Sequence, residues 1–101
     1  MELLEVKTVR ESNYKVPDGK LLKVKLLITS EKIAEVKVLG DFFLHPEDTI
    51  LKIEKELIGL SRDETSIAES IDRILKESEA TLVGATAADI AKTIMMAWDL
   101  D

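Results

Sequence analysis

Gly40-Asp41-Phe42-Phe43-Leu44-His45-Pro46-Glu47-Asp48 separates two kinds of periodicity. Upstream of it apolar residues alternate; downstream they recur every three or four positions. The period therefore changes from that of a strand to that of a helix across these nine residues. Two of the four aromatic residues, Phe42 and Phe43, stand side by side at the handover. Pro46 suits a first helical turn, where a missing N–H is not needed. Glu47 and Asp48 would then face the positive end of the helix dipole. This spacing predicts His45 as the N-cap, although imidazole is a mediocre cap. Gly40 lets the backbone bend or be closely approached as the strand ends. The stretch reads as a sheet-to-helix corner, with Phe42 plugging the core and Phe43 covering its edge.

Working back from the corner, Ile33-Ala34-Glu35-Val36-Lys37-Val38-Leu39 reads as a strand, with Ala34, Val36, Val38, Gly40 and Phe42 on one face. Leu21-Leu22-Lys23-Val24-Lys25-Leu26-Leu27-Ile28-Thr29 is the strand before it. Its buried face is Leu22, Val24, Leu26 and Ile28. Lys23, Lys25, Glu35 and Lys37 fall on the outer face, where they suit cross-strand pairing. Leu21, Leu27, Ile33 and Leu39 also fall there, and form a candidate apolar partner surface. The two strands are joined by the short polar turn Ser30-Glu31-Lys32, so they pair antiparallel. Leu3-Leu4-Glu5-Val6-Lys7-Thr8-Val9-Arg10 is predicted as a first strand at or near a sheet edge. Between it and the second strand, Pro17-Asp18-Gly19 is a turn: proline presets φ, aspartate can bond the backbone, and glycine accepts positive φ. Lys15 and Lys20 flank it. Two ammonium groups and the free N–H groups of a tight turn can hold a phosphate or carboxylate. An ordinary hairpin connection with solvated lysines has the same sequence.

Downstream, the spacing predicts a helix from about Pro46 to Ile58, with Ile50, Ile53 and Leu57 inward and Gly59 as its C′ residue. Ser61 and Glu64 are spaced as a capping box for a second helix, whose inner face is Ile67, Ala68, Ile71, Ile74 and Leu75. Thr86 and Asp89 offer a box for a third, carrying Ala87, Ile90, Ala91, Ile94, Met95 and Trp98 inward. Thr81-Leu82-Val83 reads as a loop. The expected fold is therefore α+β, a single domain over residues 1–101. A three-stranded antiparallel meander is followed by three helices packed on one face, because a sheet with one wet face needs its other face covered.

Composition narrows the function. A chain of 101 residues with 46% hydrophobic and 34% charged residues folds around one core rather than staying disordered. There is no cysteine, which removes disulfides, thiolate metal sites and thiol catalysis together. One histidine cannot build a multi-histidine metal site, and no apolar run approaches a membrane span. The N-terminus is not that of a signal peptide, so the expected compartment is the cytoplasm. The net charge of −6 is uneven: residues 1–41 hold eight Lys/Arg and seven Asp/Glu, residues 42–101 hold six and thirteen. A strongly acidic helical half argues against nucleic-acid binding. Neither common nucleotide-cradling glycine motif is present. No serine, histidine and carboxylate stand in a catalytic arrangement, and the pairs Glu47-Asp48 and Asp63-Glu64 sit where helix starts want negative charge. These features describe a binding or accessory domain that lacks its own catalytic apparatus.

Tyr14-Lys15-Val16-Pro17-Asp18-Gly19-Lys20-Leu21, then Gly40-Asp41-Phe42-Phe43-Leu44-His45-Pro46-Glu47-Asp48, then Leu57-Ile58-Gly59, resembles the lipoate–protein ligase accessory domain, and the resemblance spans nearly the whole chain. In that family the domain is either the C-terminal part of the ligase or a separate small subunit; a chain beginning at Met1 looks like the latter. The resemblance implies a fold like that of sulfur-cluster scaffold and sulfur-acceptor proteins, without their cysteine chemistry. It implies a large catalytic subunit that holds ATP, magnesium and lipoate, makes lipoyl-AMP and transfers the lipoyl group to a lysine of a lipoyl domain. The present chain would be required for the activation step, would bind no cofactor alone, and would meet the acceptor proteins only indirectly. On that footing Lys15, Gly19 and Lys20 are the candidate contact to the partner's nucleotide, with Lys20 favoured. Asp41, Phe42 and Phe43 are the candidate corner and partner interface. A protein-interaction module without ligase activity is the alternative.

Overall fold

The computed structural model describes residues 9–100. Three strands, β1 (Arg10–Lys15), β2 (Leu21–Thr29) and β3 (Lys32–Gly40), form an antiparallel sheet in that order. A short β4 (Phe43–His45) then leads into α1 (Thr49–Leu57) and α2 (Glu64–Glu77). After β5 (Thr81–Val83), α3 (Ala87–Trp98) closes the fold. This is the expected meander followed by three helices, with one addition: β4 and β5 pair as a separate two-stranded ribbon. Thr81–Val83 is thus a strand and not a loop. Residues 3–8 of the expected first strand lie outside the described residues, and β1 occupies a stretch read from the sequence as a connection.

The core is built from one face of the sheet. Leu22, Val24 and Leu26 of β2 are fully buried, beneath Ile53 and Leu57 of α1, Ile67 and Ile71 of α2, and Ile90 and Ile94 of α3. These are the residues placed inward by the alternating and helical periods. The outer face departs from expectation. A bulge follows Leu27: Leu27 lies opposite Glu35 while Ile28 lies opposite Ile33, leaving Ala34 as the extra residue. An extra residue reverses the alternation on one side of the bulge. Ile33 is consequently turned into the core, and Leu27 is also buried. Only Leu21 and Leu39 of the expected apolar surface remain exposed. The pairing expected among Lys23, Lys25, Glu35 and Lys37 does not form among the described residues, Glu35 lying opposite Leu27. Lys23 pairs instead with Glu11 at 3.9 Å, and Lys25 stands directly opposite Lys37. Ser30 and Glu31 both adopt positive φ, the twist of a two-residue hairpin turn, without a glycine.

Helix ends also moved. His45 is the last residue of β4, and Pro46–Asp48 form a hydrogen-bonded turn ahead of α1, with the Thr49 amide donating to the Pro46 carbonyl at 3.1 Å. His45 is therefore not a cap; Asp48 occupies that position without a side-chain cap bond. Asp63, not Ser61, caps α2 by accepting from the Ser66 amide at 3.1 Å. Ser61 instead bridges Lys32 of β3. The box at α3 forms as expected, with the Asp89 amide donating to Thr86 Oγ1 and the Thr86 amide donating to Asp89 Oδ2. At the far end of α3, Arg62 donates two hydrogen bonds to Asp99, at 2.8 and 2.7 Å. That bonding holds the Asp99 carboxyl below its ordinary range. The stabilisation from this exposed pair is small, present at neutral pH and lost as pH falls through the depressed value.

Edge strands need cover for unpaired backbone groups. On β3 the Val38 amide donates to Glu54 of α1 at 2.8 Å, and the Ile33 amide donates to the Leu60 carbonyl at 2.9 Å. The charged acceptor at Val38 makes a test. Glu54→Ala is expected to cost about 1–2 kcal/mol, the usual loss for an orphaned donor. Urea unfolding reads this directly, and a change below a few tenths of a kcal/mol would show that water replaces the carboxylate without loss. At the other edge, β1 is tied to α3: Ser12 Oγ donates to the Thr93 carbonyl at 2.7 Å, Lys92 lies 4.8 Å over the Tyr14 ring, and Arg10 bonds the Trp98 carbonyl.

Candidate functional site

The two motifs singled out in the sequence meet at one end of the molecule. The turn after β1 closes with the Gly19 amide donating to the Val16 carbonyl at 2.8 Å and the Val16 amide donating to the Lys20 carbonyl at 3.0 Å. Positive φ falls on Asp18, at 56°, not on Gly19. Glycine is needed at 19 for space: a Cβ there would lie 2.6 Å from the Gly84 carbonyl oxygen. That same oxygen accepts from the Lys20 amide at 3.0 Å. The residue following β5 therefore clamps the lysine turn; the sequence marks Gly84 as a break ahead of the third helix and does not offer it as a site residue. The signal available was a glycine directly after Thr81-Leu82-Val83, a stretch in which Thr81 and Val83 are β-branched.

The end of β3 reaches the same place. The Asp41 amide donates to the Leu21 carbonyl at 3.1 Å, and a Cβ on Gly40 would meet that oxygen at 2.2 Å. Gly40 has φ of 149°, so the alternation of β3 stops there and Phe42 no longer continues the strand face. Phe42 is half-buried and packs against the core, as its role of plug requires. Its backbone passes close to Gly84. Phe43 does not cover an edge; it is 57% exposed, opposite the equally exposed Val83 on the β4–β5 ribbon. Its ring is stacked on His45, with centroids 6.4 Å apart. Leu39, Phe42, Phe43, Glu47 and Ile50 line a shallow groove of ≈ 280 Å³ beside it.

The candidate lysines differ. Lys15 folds back over the turn, its ammonium donating to the Gly19 carbonyl at 2.8 Å. Lys20 is exposed, and its stem lies against Gly84. The ammonium of Lys15 is thus already engaged by the turn, whereas that of Lys20 has no protein acceptor among the described residues. Among the described residues no group of three histidine or carboxylate side chains gathers to hold a metal, and no helix is long and apolar enough to cross a membrane.

Residues 10–94 match the family model described as bacterial lipoate protein ligase C-terminus. The chain belongs to this family. It is similar to lipoate-protein ligase A subunit 2 of Thermoplasma acidophilum, at 39% identity over 49 residues. That match spans 48% of this chain and 51% of the relative, about half the length of each. Its fold is that of a chain from the archaeal lipoylation system of the same organism, solved as a bi-partite lipoate protein ligase and its E2 lipoyl domain. The TM-score is 0.70 with 24% identity, over 95% of this chain and 100% of that one. The family match begins at Arg10 and so includes the lysine turn, the Gly40–Asp48 corner and the β4–β5 ribbon in one unit. In this member of the ligase C-terminal family, then, two of the three segments that carry the resemblance converge in space, while the third is tied to the other end of β3 by the Gly59 amide donating to the Ile33 carbonyl.

Proposed function

We propose that this chain is the accessory subunit of a two-component lipoate–protein ligase. It enables ATP-dependent activation of lipoate to lipoyl-AMP by a large catalytic subunit, before that subunit transfers the lipoyl group to a lipoyl-domain lysine. The observation that carries this reading is the family match over residues 10–94, joined to the similarity to a ligase subunit 2. The chain's own chemistry agrees with an assisting role. Its one histidine, His45, is stacked on Phe43 in an exposed ribbon, and among the described residues it makes no side-chain hydrogen bond to a serine or carboxylate.

Adenylation joins the lipoate carboxylate to the α-phosphate and expels pyrophosphate, so negative charge on the phosphates must be offset. Lys20 supplies a cation at the end of a turn whose backbone is held by Gly84. On the isolated chain that ammonium is fully hydrated and attracts phosphate weakly. Once a partner excludes water, the same charge acts through a lower effective dielectric and counts for several times more. ATP, magnesium and lipoate are accordingly held by the large subunit, with Lys20, and secondarily Lys15 and Gly19, closing the phosphate side. Asp41, Phe42 and Phe43 shape the corner presented to that subunit.

The test is lipoate-dependent pyrophosphate exchange by the large subunit with and without this chain. Exchange is expected only with the chain present. Transfer from preformed lipoyl-AMP to a lipoyl domain is expected to need it far less, because that half-reaction expels only AMP and has no triphosphate or departing pyrophosphate to offset. Equal dependence of both steps, or exchange by the large subunit alone, would leave an interaction module without a role in activation.

A further inference from the structure

The outer face of the β1–β2–β3 sheet carries charges that the fold does not use. Across the three strands its rows read Asn13–Lys23–Leu39 and Glu11–Lys25–Lys37. Like charges directly opposite one another on a sheet destabilise it, and Lys25 faces Lys37. Among the described residues neither has a carboxylate at ion-pair distance, the Lys23–Glu11 contact being the ion pair found on this face. Lys15 stands opposite Leu21 at the end of the same face. Four lysines thus share it with two glutamates, Glu11 and Glu35, on a chain of net charge −6. Beside the lysines, Leu21 and Leu39 are 42% and 43% exposed. Exposed leucines beside an excess of positive charge have the anatomy of a docking surface rather than of a sheet face left to water.

We infer that this face, centred on Leu21, Lys25, Lys37 and Leu39, docks against an acidic surface of the large ligase subunit, an inference that rests on the function proposed above. A protein surface suits it better than a polyanion. The two leucines gain nothing from phosphate but do gain from an apolar partner, and the acidic helical half repels a long anionic polymer or membrane. The face also runs directly into the lysine turn, since Leu21 pairs with Lys15 and its carbonyl accepts from the Asp41 amide. Docking here therefore sets the Lys15–Lys20 turn at the margin of the buried interface, where a partner's nucleotide can reach Lys20. Partner carboxylates near Lys25 and Lys37 also relieve a repulsion that the free chain has to tolerate.

The substitution Lys37→Glu separates docking from folding, because it acts on the two with opposite sign. In the free chain it turns a like-charge pair into an opposite-charge pair, so the melting temperature is expected to hold or rise. Affinity for the large subunit, titrated calorimetrically, is expected to fall at least ~10-fold, within the range of charge reversals at complementary interfaces. The salt dependence of binding should flatten in parallel. Lys52→Glu, on the exposed side of α1, makes the same change in net charge and should leave affinity nearly unchanged. If wild type binds and Lys37→Glu binds equally well, the docking face is refuted while the accessory function stands. If wild type does not bind the large subunit at all, the accessory function itself falls and takes this inference with it. Retention on duplex DNA or anionic vesicles that Lys37→Glu abolishes, with the ligase complex unaffected, would reassign the face to a polyanion.

Discussion

Gly40→Ala is expected to be the most damaging single methyl group that can be added to this protein. The new Cβ would lie 2.2 Å from the Leu21 carbonyl oxygen, well inside contact distance. That oxygen cannot simply retreat, because it accepts the Asp41 amide at the point where β3 leaves the sheet. A φ of 149° adds backbone strain for any residue with a side chain. Clash and strain together should cost about 3 kcal/mol or more, on the scale of overpacking and special-φ losses. For a domain of this size that is a fall of roughly 12–24 °C in melting temperature, and a large share of a total stability of about 5–15 kcal/mol. Circular dichroism melts measure it. Gly59→Ala is the matched control: its φ of 92° is also positive, but nothing lies within 4 Å of the added carbon, so the loss should be about 1 kcal/mol. Equal melting temperatures for the two variants would mean that Leu21 moves aside freely and that the junction is not tightly held.

Lys20→Ala is expected to leave the fold intact and to abolish most of the activation step. The side chain is exposed, and its backbone bonds to Val16 and Gly84 do not depend on its identity. Loss of one group that offsets developing charge in a closed site typically lowers the rate ~10²–10³-fold. That loss should appear in kcat for lipoate-dependent pyrophosphate exchange by the reconstituted pair, with the affinity of the two chains for one another little altered. Lys15→Ala should cost several-fold less, because its ammonium already serves the Gly19 carbonyl. Lys20→Arg, which keeps the charge, should recover much of the rate. Full exchange by both alanine variants would remove the turn from the nucleotide site.

Much of this was legible from spacing alone. The three helices and, away from the bulge, two of the three meander strands follow from local periods, each inner position being set by its neighbours in the same segment. The Thr86–Asp89 box was equally plain, because both partners lie within one turn. The misreadings share a cause. Ile33 and Leu27 were placed outward because a bulge changes the alternation, and nothing in Ala34 itself announces one. Thr81–Val83 is a strand because Phe43–His45 is available to pair with it, nearly forty residues earlier in the chain. His45 looked like a helix cap because its own partner, Thr81, is equally remote.

The candidate site divides in the same way. Read along the chain, the lysine turn is legible as a place that can hold an anion and the Gly40–Asp48 corner as a change of period, since tight turns act through local geometry; their roles toward a partner come from the family resemblance alone. That the two belong to one site depends on hydrogen bonds from Lys20 to Gly84 and from Asp41 to Leu21. Those bonds join segments separated by as many as 64 residues, and local periodicity says nothing about contacts over such separations. Close approach of backbones admits no side chain at the crossing, which is why Gly19 and Gly40 stand where they do. Residue types thus determined the elements and their chemistry, while only the packed chain decided which of them meet.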